Sequence, residues 1–309
     1  MVGTSQTAAD GGRGAELPDP ATEAFLTHRN LLFTVAYEML GSAADAEDVL
    51  QETWLRWAGV ELGTVRDRRA YLVRITTRQA LARLRTVGRR RESYVGTWLP
   101  EPLLTAPDVA EDVALAESVS MAMLLVLETL APTERAVFVL REVFDLGYDE
   151  IAEAVDKSPA AVRQIAHRAR EHVAARRPRQ VVSATETRYA LDAFRRAIET
   201  GDLQGLFDIL APDVVLLGDG GGVKQAVQRP IVGADKVARL LAGGWGRLGG
   251  IVSLRPSQVN GHPALIVALD GELDTVVAVR LDEGRITGLY AVRNPEKLTH
   301  MREATALGR

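Results

Sequence analysis

The sequence predicts a multidomain chain: two all-α helical domains followed by an α+β domain. Three observations carry this. Helical periodicity with capping residues dominates residues 22–177, broken by a proline-bearing stretch at 92–112. Inside it, residues 147–173, GYDEIAEAVDKSPAAVRQIAHRAREHV, read as two helices joined by a tight turn. Beyond Val214 the pattern changes to runs of branched residues, LIVAL at 265–269 and TVVAVRL at 275–281, as strands require.

The helical pair is the most informative stretch. Ile151, Ala152 and Val155 share one face of its first helix, and Lys157-Ser158-Pro159 breaks it. Ser158 suits an N-cap, because its hydroxyl accepts orphan backbone N–H groups, and Pro159 suits the first helical position. In the second helix Val162, Ile165, Ala166, Ala169 and Val173 form an apolar stripe. Ala160, Arg163, Gln164, His167, Arg168 and Glu171 point the other way, which suits reading a DNA major groove. An ordinary helical hairpin with a solvated face has the same pattern, so the pair alone does not decide.

Composition narrows the classes. The chain has 309 residues, 47% of them hydrophobic, and a net charge of −4. Distribution matters more than the sum: arginines cluster at 83–91 and 163–179. With no cysteine, disulfides and Cys-ligated zinc are excluded, and nothing suggests a metal or cofactor. No apolar run is long enough to span a membrane. Residues 1–20 lack a signal-peptide core and read as a disordered leader, so a cytoplasmic location is expected.

Taken in order, residues 21–91 form the first helical domain. Phe25, Leu32, Val35, Ala36 and Met39 make one buried stripe, Gly41 ends that helix and Ser42 caps the next. In DAEDVLQETWLRW at 45–57, Ala46, Val49, Leu50, Thr53 and Trp57 face inward, while Asp48, Gln51, Glu52 and Leu55 face outward. A leucine flanked by acids suggests a docking ridge for a basic partner, although single exposed leucines are common. Residues 59–69 are a loop. AYLVRITTRQALARLR at 70–85 is a basic helix suited to phosphate attraction, and equally to a solvated face.

Residues 92–112 are a linker that prolines keep extended. Its Tyr94, Trp98 and Leu99 would be poorly placed in water, so it should pack on a domain. The second helical domain, 113–178, opens with a helix at 113–130 and continues at 134–144 with Thr133 as cap. The α+β domain, 184–300, has helices at 185–199, 202–210 and 234–242, a strand from Val214, and a hairpin turn at Asp282-Glu283-Gly284-Arg285. Residues 301–309 are a tail.

Two blocks in this order resemble a known family. DAEDVLQETWLRW with AYLVRITTRQALARLR resembles region 2, and LAPTERAVFVLREVFDLGYDEIAEAVDKSPAAVRQIAHRAR resembles region 4, of extracytoplasmic-function (ECF) sigma factors. YVGTWLPEP at 94–102, DGGG at 219–222 and NPEKL at 294–298 resemble marks of a subgroup with a fused, cone-shaped SnoaL-like domain of NTF2 type. Thr97 stands where that subgroup has proline. Ala82 and Arg78 stand where many sigma factors carry Asp and Asn, and Ala82 leaves the detail of −10 recognition open.

The resemblance implies a transcription-initiation factor that binds core RNA polymerase and promoter DNA. Asp48, Gln51, Glu52 and Leu55 would dock on the polymerase. Arg68, Tyr71, Arg74, Arg78 and Arg85 would serve the −10 element. Ser158, Ala160, Arg163, Gln164, His167, Arg168 and Arg170 would serve the −35 element, with Arg168 and Arg170 meeting phosphates. The C-terminal domain would stand in for a separate anti-sigma factor, pressing Asp219, Gly220, Gly221 and Gly222 and Asn294, Pro295 and Lys297 against Tyr94, Trp98 and Leu99.

Its cone leaves room for a small-molecule ligand. Asp219, His262 and Tyr290 are its candidate polar groups, but Asp219 and His262 sit in turn sequences and Tyr290 in a strand, so no catalytic residue is assigned. The second reading is a helix-turn-helix regulator whose C-terminal pocket senses or converts a metabolite. Such a regulator has no need of the acidic helix at 45–57.

Overall fold

The computed structural model describes residues 19–106, 109, 112–176, 182–245 and 250–309. The leader expected over 1–20 therefore lies outside the described residues except for Asp19 and Pro20, which cap and begin the first helix.

Helix α1 (Pro20–Leu40) stops where Gly41 turns left-handed at φ 64°. It buries more than the one stripe its periodicity predicts: every residue from Leu31 to Leu40 is buried, Glu38 included. A helix buried all round is a core helix. Helices α2 (Ala43–Trp57) and α3 (Arg68–Glu92) cover one side of α1, and the second helical unit and the linker cover the other.

That second unit differs from expectation at two points. The helix expected over 113–130 is two helices, α4 (Val113–Val119) and α5 (Met121–Leu127). Ser120 divides them, because its hydroxyl accepts the Met123 N–H and starts a new helix. The next helix, α6 (Pro132–Phe138), begins at Ala131-Pro132 rather than at a Thr133 cap: proline fits the first helical position, and Glu134 reaches back to the Ala131 N–H. A π turn over 139–143 leads into α7 (Tyr148–Val155) and α8 (Pro159–Ala174), with Ser158 capping α8 as its sequence indicates. Arg179 and its neighbours lie outside the described residues.

The C-terminal unit has helices α9 (Ala184–Thr200), α10 (Leu203–Ile209) and α11 (Ala234–Trp245). Strands β1 (Leu210–Asp219), β2 (Ile231–Val232), β3 (Val252–Val259), β4 (His262–Leu269), β5 (Glu272–Asp282) and β6 (Arg285–Val292) form one sheet in the order β2-β1-β6-β5-β4-β3. Only β1 and β6 run parallel. Strand β3 has no counterpart in the sequence reading because Pro256 interrupts its pattern; proline is tolerated on such an edge strand. The turns Asn260-Gly261, Asp270-Gly271 and Glu283-Gly284 each carry two positive φ values, the geometry that suits tight hairpins.

One face of the sheet packs under α9–α11 through Leu191, Phe194, Leu265 and Leu289. The other face packs on the linker and on α5 through Leu99, Met121, Ile266, Tyr290 and Val292. Tyr290 is a packing residue there. The expected tail is not free: Thr305 donates its N–H to Leu104, Gly308 bonds Thr34, and Arg309 pairs with Asp112.

Candidate functional site

The outward face of α8 is open. Ser158, Ala160, Arg163, Gln164, His167, Arg168 and Arg170 are all exposed, while Val162, Ala166, Ala169 and Val173 are buried against the rest of the unit. Arg163 lies over the Tyr148 ring at 5.6 Å. Arg168 and Arg170 stand 3.7 Å and 3.5 Å from Glu134 and Glu142. Such exposed pairs contribute little to stability.

The ridge on α2 is open as well. Asp48, Gln51, Glu52 and Leu55 are exposed, Leu55 by 66%. Asp48 is not a free acid, because Arg83 holds it at 2.5 Å and Asp45 at 2.7 Å.

The basic helix α3 is not the open phosphate surface its arginines suggest. Arg74 stacks over Tyr71 at 4.6 Å and pairs with Glu153 on α7 at 2.9 Å. Arg78 donates to the Glu153 carbonyl at 2.7 Å. The first helix of the helix-turn-helix thus lies across part of the surface assigned to the −10 element. Arg68 and Arg85 remain exposed. Further along, Arg91 pairs with Glu128 and stacks on Trp98 at 3.6 Å. Arg135, also on Glu128, reaches the Met39 carbonyl at 2.7 Å. Arg91 donates to the Leu40 carbonyl, so two arginines, both paired with Glu128, satisfy the open end of α1.

The linker is clamped from the C-terminal side. Asp219, fully buried, accepts from the Tyr94 hydroxyl at 2.5 Å, from the Leu99 N–H at 2.8 Å and from Lys297 Nζ at 2.7 Å. Lys297 also donates to the Leu99 carbonyl at 2.5 Å and lies over the Trp98 ring at 4.2 Å. Asn294 caps the short helix Pro295–Met301 and donates to the Tyr94 hydroxyl at 2.9 Å. Burial pulls the Lys297 amine down to about 8 although Asp219 favours its charged form; burial, with Asp219 close by, pushes the Tyr94 phenol up.

The glycines answer to geometry. Gly221 has φ 63°, and a Cβ there would lie 2.4 Å from the Asn294 side chain; a Cβ at Gly220 would meet the Lys224 carbonyl at 2.0 Å. Gly222 rests on Val95.

Two clamp residues escaped the sequence reading. Glu101 caps α2 from the linker, accepting from Ser42 Oγ at 2.8 Å and the Ala43 N–H at 2.7 Å. Asn260, at the β3–β4 turn, accepts from the Leu103 N–H and donates to the Tyr37 hydroxyl and the Val119 carbonyl. Its Asn-Gly sequence signals the turn, but no local signal tells what the turn will touch.

An exposed ridge on α2, an exposed basic face on α8 and a clamped linker between them fit a two-module promoter-recognition factor. The sigma-70 region 2 family matches residues 24–90, and the sigma-70 region 4 family matches residues 120–173. The ECF RNA polymerase sigma factor SigJ of Mycobacterium tuberculosis is 35% identical over 285 residues, which cover 88% of this chain and 91% of SigJ. The probable ECF sigma factor SigI of that organism is 32% identical, over 92% of this chain and 97% of SigI. The crystal structure of M. tuberculosis SigJ matches 90% of this chain and 98% of its own, with a TM-score of 0.72 and 33% identity.

The chain belongs to the ECF RNA polymerase sigma factors. It is a promoter-specific transcription-initiation factor that works with RNA polymerase, and the metabolite-sensing reading is not favoured. Its two helical units are sigma regions 2 and 4, and its helix-plus-sheet unit extends the fold as in SigJ. Among the described residues no helix is long and apolar enough to cross a membrane.

Proposed function

We propose that this sigma factor rests in a closed arrangement, held by its own C-terminal unit, that cannot engage both promoter elements at once. One observation carries the reading: Glu153 of the helix-turn-helix sits on Arg74 and Arg78 of the −10 surface. Elements centred 25 base pairs apart lie about 85 Å apart at roughly 3.4 Å per step. The stretch from 92 to 112, fully extended, spans about 70 Å at 3.3–3.6 Å per residue. Opening therefore needs the whole tether together with the breadth of the two helical units, and Leu99, Glu101 and Leu103 are bonded down in the closed form.

In the open form Asp48, Gln51, Glu52 and Leu55 dock on core polymerase. Arg68, Tyr71, Arg74, Arg78 and Arg85 serve the −10 element, and Ser158, Ala160, Arg163, Gln164, His167, Arg168 and Arg170 the −35 element. Arg163 is the discriminating contact, contributing about 1–3 kcal/mol where it meets guanine bidentately. The clamp residues Tyr94, Trp98, Leu99, Asp219 to Gly222, Asn294, Pro295 and Lys297 do intramolecularly what a separate anti-sigma factor does between chains, so none is required. The C-terminal unit is regulatory rather than catalytic, because Asp219 is buried and its carboxylate is occupied. Promoter DNA and polymerase place the protein in the cytoplasm.

Run-off transcription by core polymerase with the full chain tests this. Asp219→Ala, which frees the tether, should raise promoter-directed transcript several-fold over wild type. Equal transcript from both, with the variant folded and polymerase binding equal, would defeat the closed-state reading. Absence of any transcript from either would defeat the assignment of promoter contacts.

A further inference from the structure

A cavity of about 400 Å³ lies between the region 4 unit and the C-terminal unit. Met121, Ala122 and Val126 of α5 form one wall; Val279 and Arg280 of β5 and the ring of His262 form another, and the first turn of α9 closes a side. It is not the interior of the cone, where Leu191, Phe194, Leu265 and Leu289 pack. The lining is mostly apolar. His262 Nε2 is buried with no hydrogen-bond partner; burial pushes the imidazole pKa down, while the Ala116 backbone and Glu117 oppose the shift. An orphaned buried nitrogen in an apolar wall loses free energy that a donor would restore.

We propose that this cavity is an effector site for a small, predominantly apolar ring compound bearing one hydroxyl, which supplies the donor His262 lacks. Cavities of a few hundred Å³ with few polar groups are the usual size and character for such ligands. The walls belong to two units that separate when the tether is released, so the complete site exists only in the closed form. A ligand that binds one of two states shifts the population toward it. The occupant is therefore a brake: it holds region 4 against the C-terminal unit and lowers promoter activity. This coupling rests on the closed-state reading above; the site itself does not.

The test uses the full chain and 2-naphthol, a bicyclic apolar probe with a single hydroxyl. Calorimetry should give one site per chain. Ala122→Trp and Ala184→Phe, which fill the cavity from opposite sides, should each weaken binding at least tenfold while leaving the circular-dichroism spectrum and melting cooperativity unchanged. His262→Phe, which keeps the ring shape without the acceptor, should favour naphthalene over 2-naphthol, reversing the wild-type order. No saturable binding, or binding untouched by both filling variants, would overturn the site. Saturating probe should also reduce the affinity for promoter DNA in the presence of core polymerase at least threefold. Binding without that reduction would overturn the brake and leave the site standing. The Asp219→Ala transcription assay, which needs no ligand, reports separately on the closed state.

Discussion

The Tyr94 hydroxyl donates to the buried carboxylate of Asp219 at 2.5 Å, across 125 residues of sequence. This bond joins the start of the tether to the end of β1, and the same carboxylate takes Lys297. One acid therefore organises three segments, which makes it the most informative position to change.

Asp219→Ala removes one partner of a buried, hydrogen-bonded pair and leaves Lys297 without its counter-charge. Such breaks destabilise by about 3–5 kcal/mol. The loss should appear as a lower melting temperature and as faster proteolytic cleavage between residues 92 and 105. Asp219→Asn keeps the shape and should lose less.

Gly221→Ala should destabilise by about 1–3 kcal/mol, because φ 63° is strained for any residue with a Cβ and Asn294 occupies the space. Gly63→Ala, where nothing lies within 4 Å and φ is not positive, is the control and should change stability by less than about 0.5 kcal/mol. Denaturant midpoints of the two variants measure the contrast.

Glu153→Ala frees Arg74 but not Arg78, which bonds the backbone carbonyl. Both partners are partly exposed, so stability should change by less than about 1 kcal/mol. Non-specific DNA affinity should rise, with the salt slope steeper by about 1. Fluorescence anisotropy across a salt series checks both.

Glu38 carries a pH signature. Burial pushes its carboxyl up to about 8, while the Ser118 hydroxyl and then Arg309 oppose the shift. Its Oε1 lies 2.6 Å from Ser118 Oγ, which also donates to the Leu115 carbonyl. Between the unfolded carboxyl range and pH 8 the native state keeps a proton that the unfolded state releases. This contribution is fully present below about pH 4.5 and is lost as pH rises through 8, at up to about 1.4 kcal/mol per pH unit. Glu38→Gln should flatten that part of the stability–pH curve.

Local chemistry made much of the fold legible. The Ser158-Pro159 start of α8 and the Glu283-Gly284 turn depend only on backbone groups a few residues away, so their residue types suffice. The outward faces of α2 and α8 followed from periodicity. Strand β3 was hidden by Pro256, and the division at Ser120 by the apolar continuity of 113–130. The basic run on α3 did not disclose that Arg74 and Arg78 meet Glu153, since charge along a sequence does not reveal which acids it will meet.

By itself the sequence determined most of the helices, the Ser42 and Ser158 caps, the outward faces of α2 and α8, the 282–285 hairpin turn and the family motifs, because each depends on neighbours within a turn or two of chain. Only the tertiary structure decided that Arg74 and Arg78 meet Glu153, that Glu101 caps a helix 59 residues upstream and that Asn260 joins a hairpin to α1. A hydrogen bond forms only within about 3 Å, and what lies that close to a side chain on another element is set by how the elements pack.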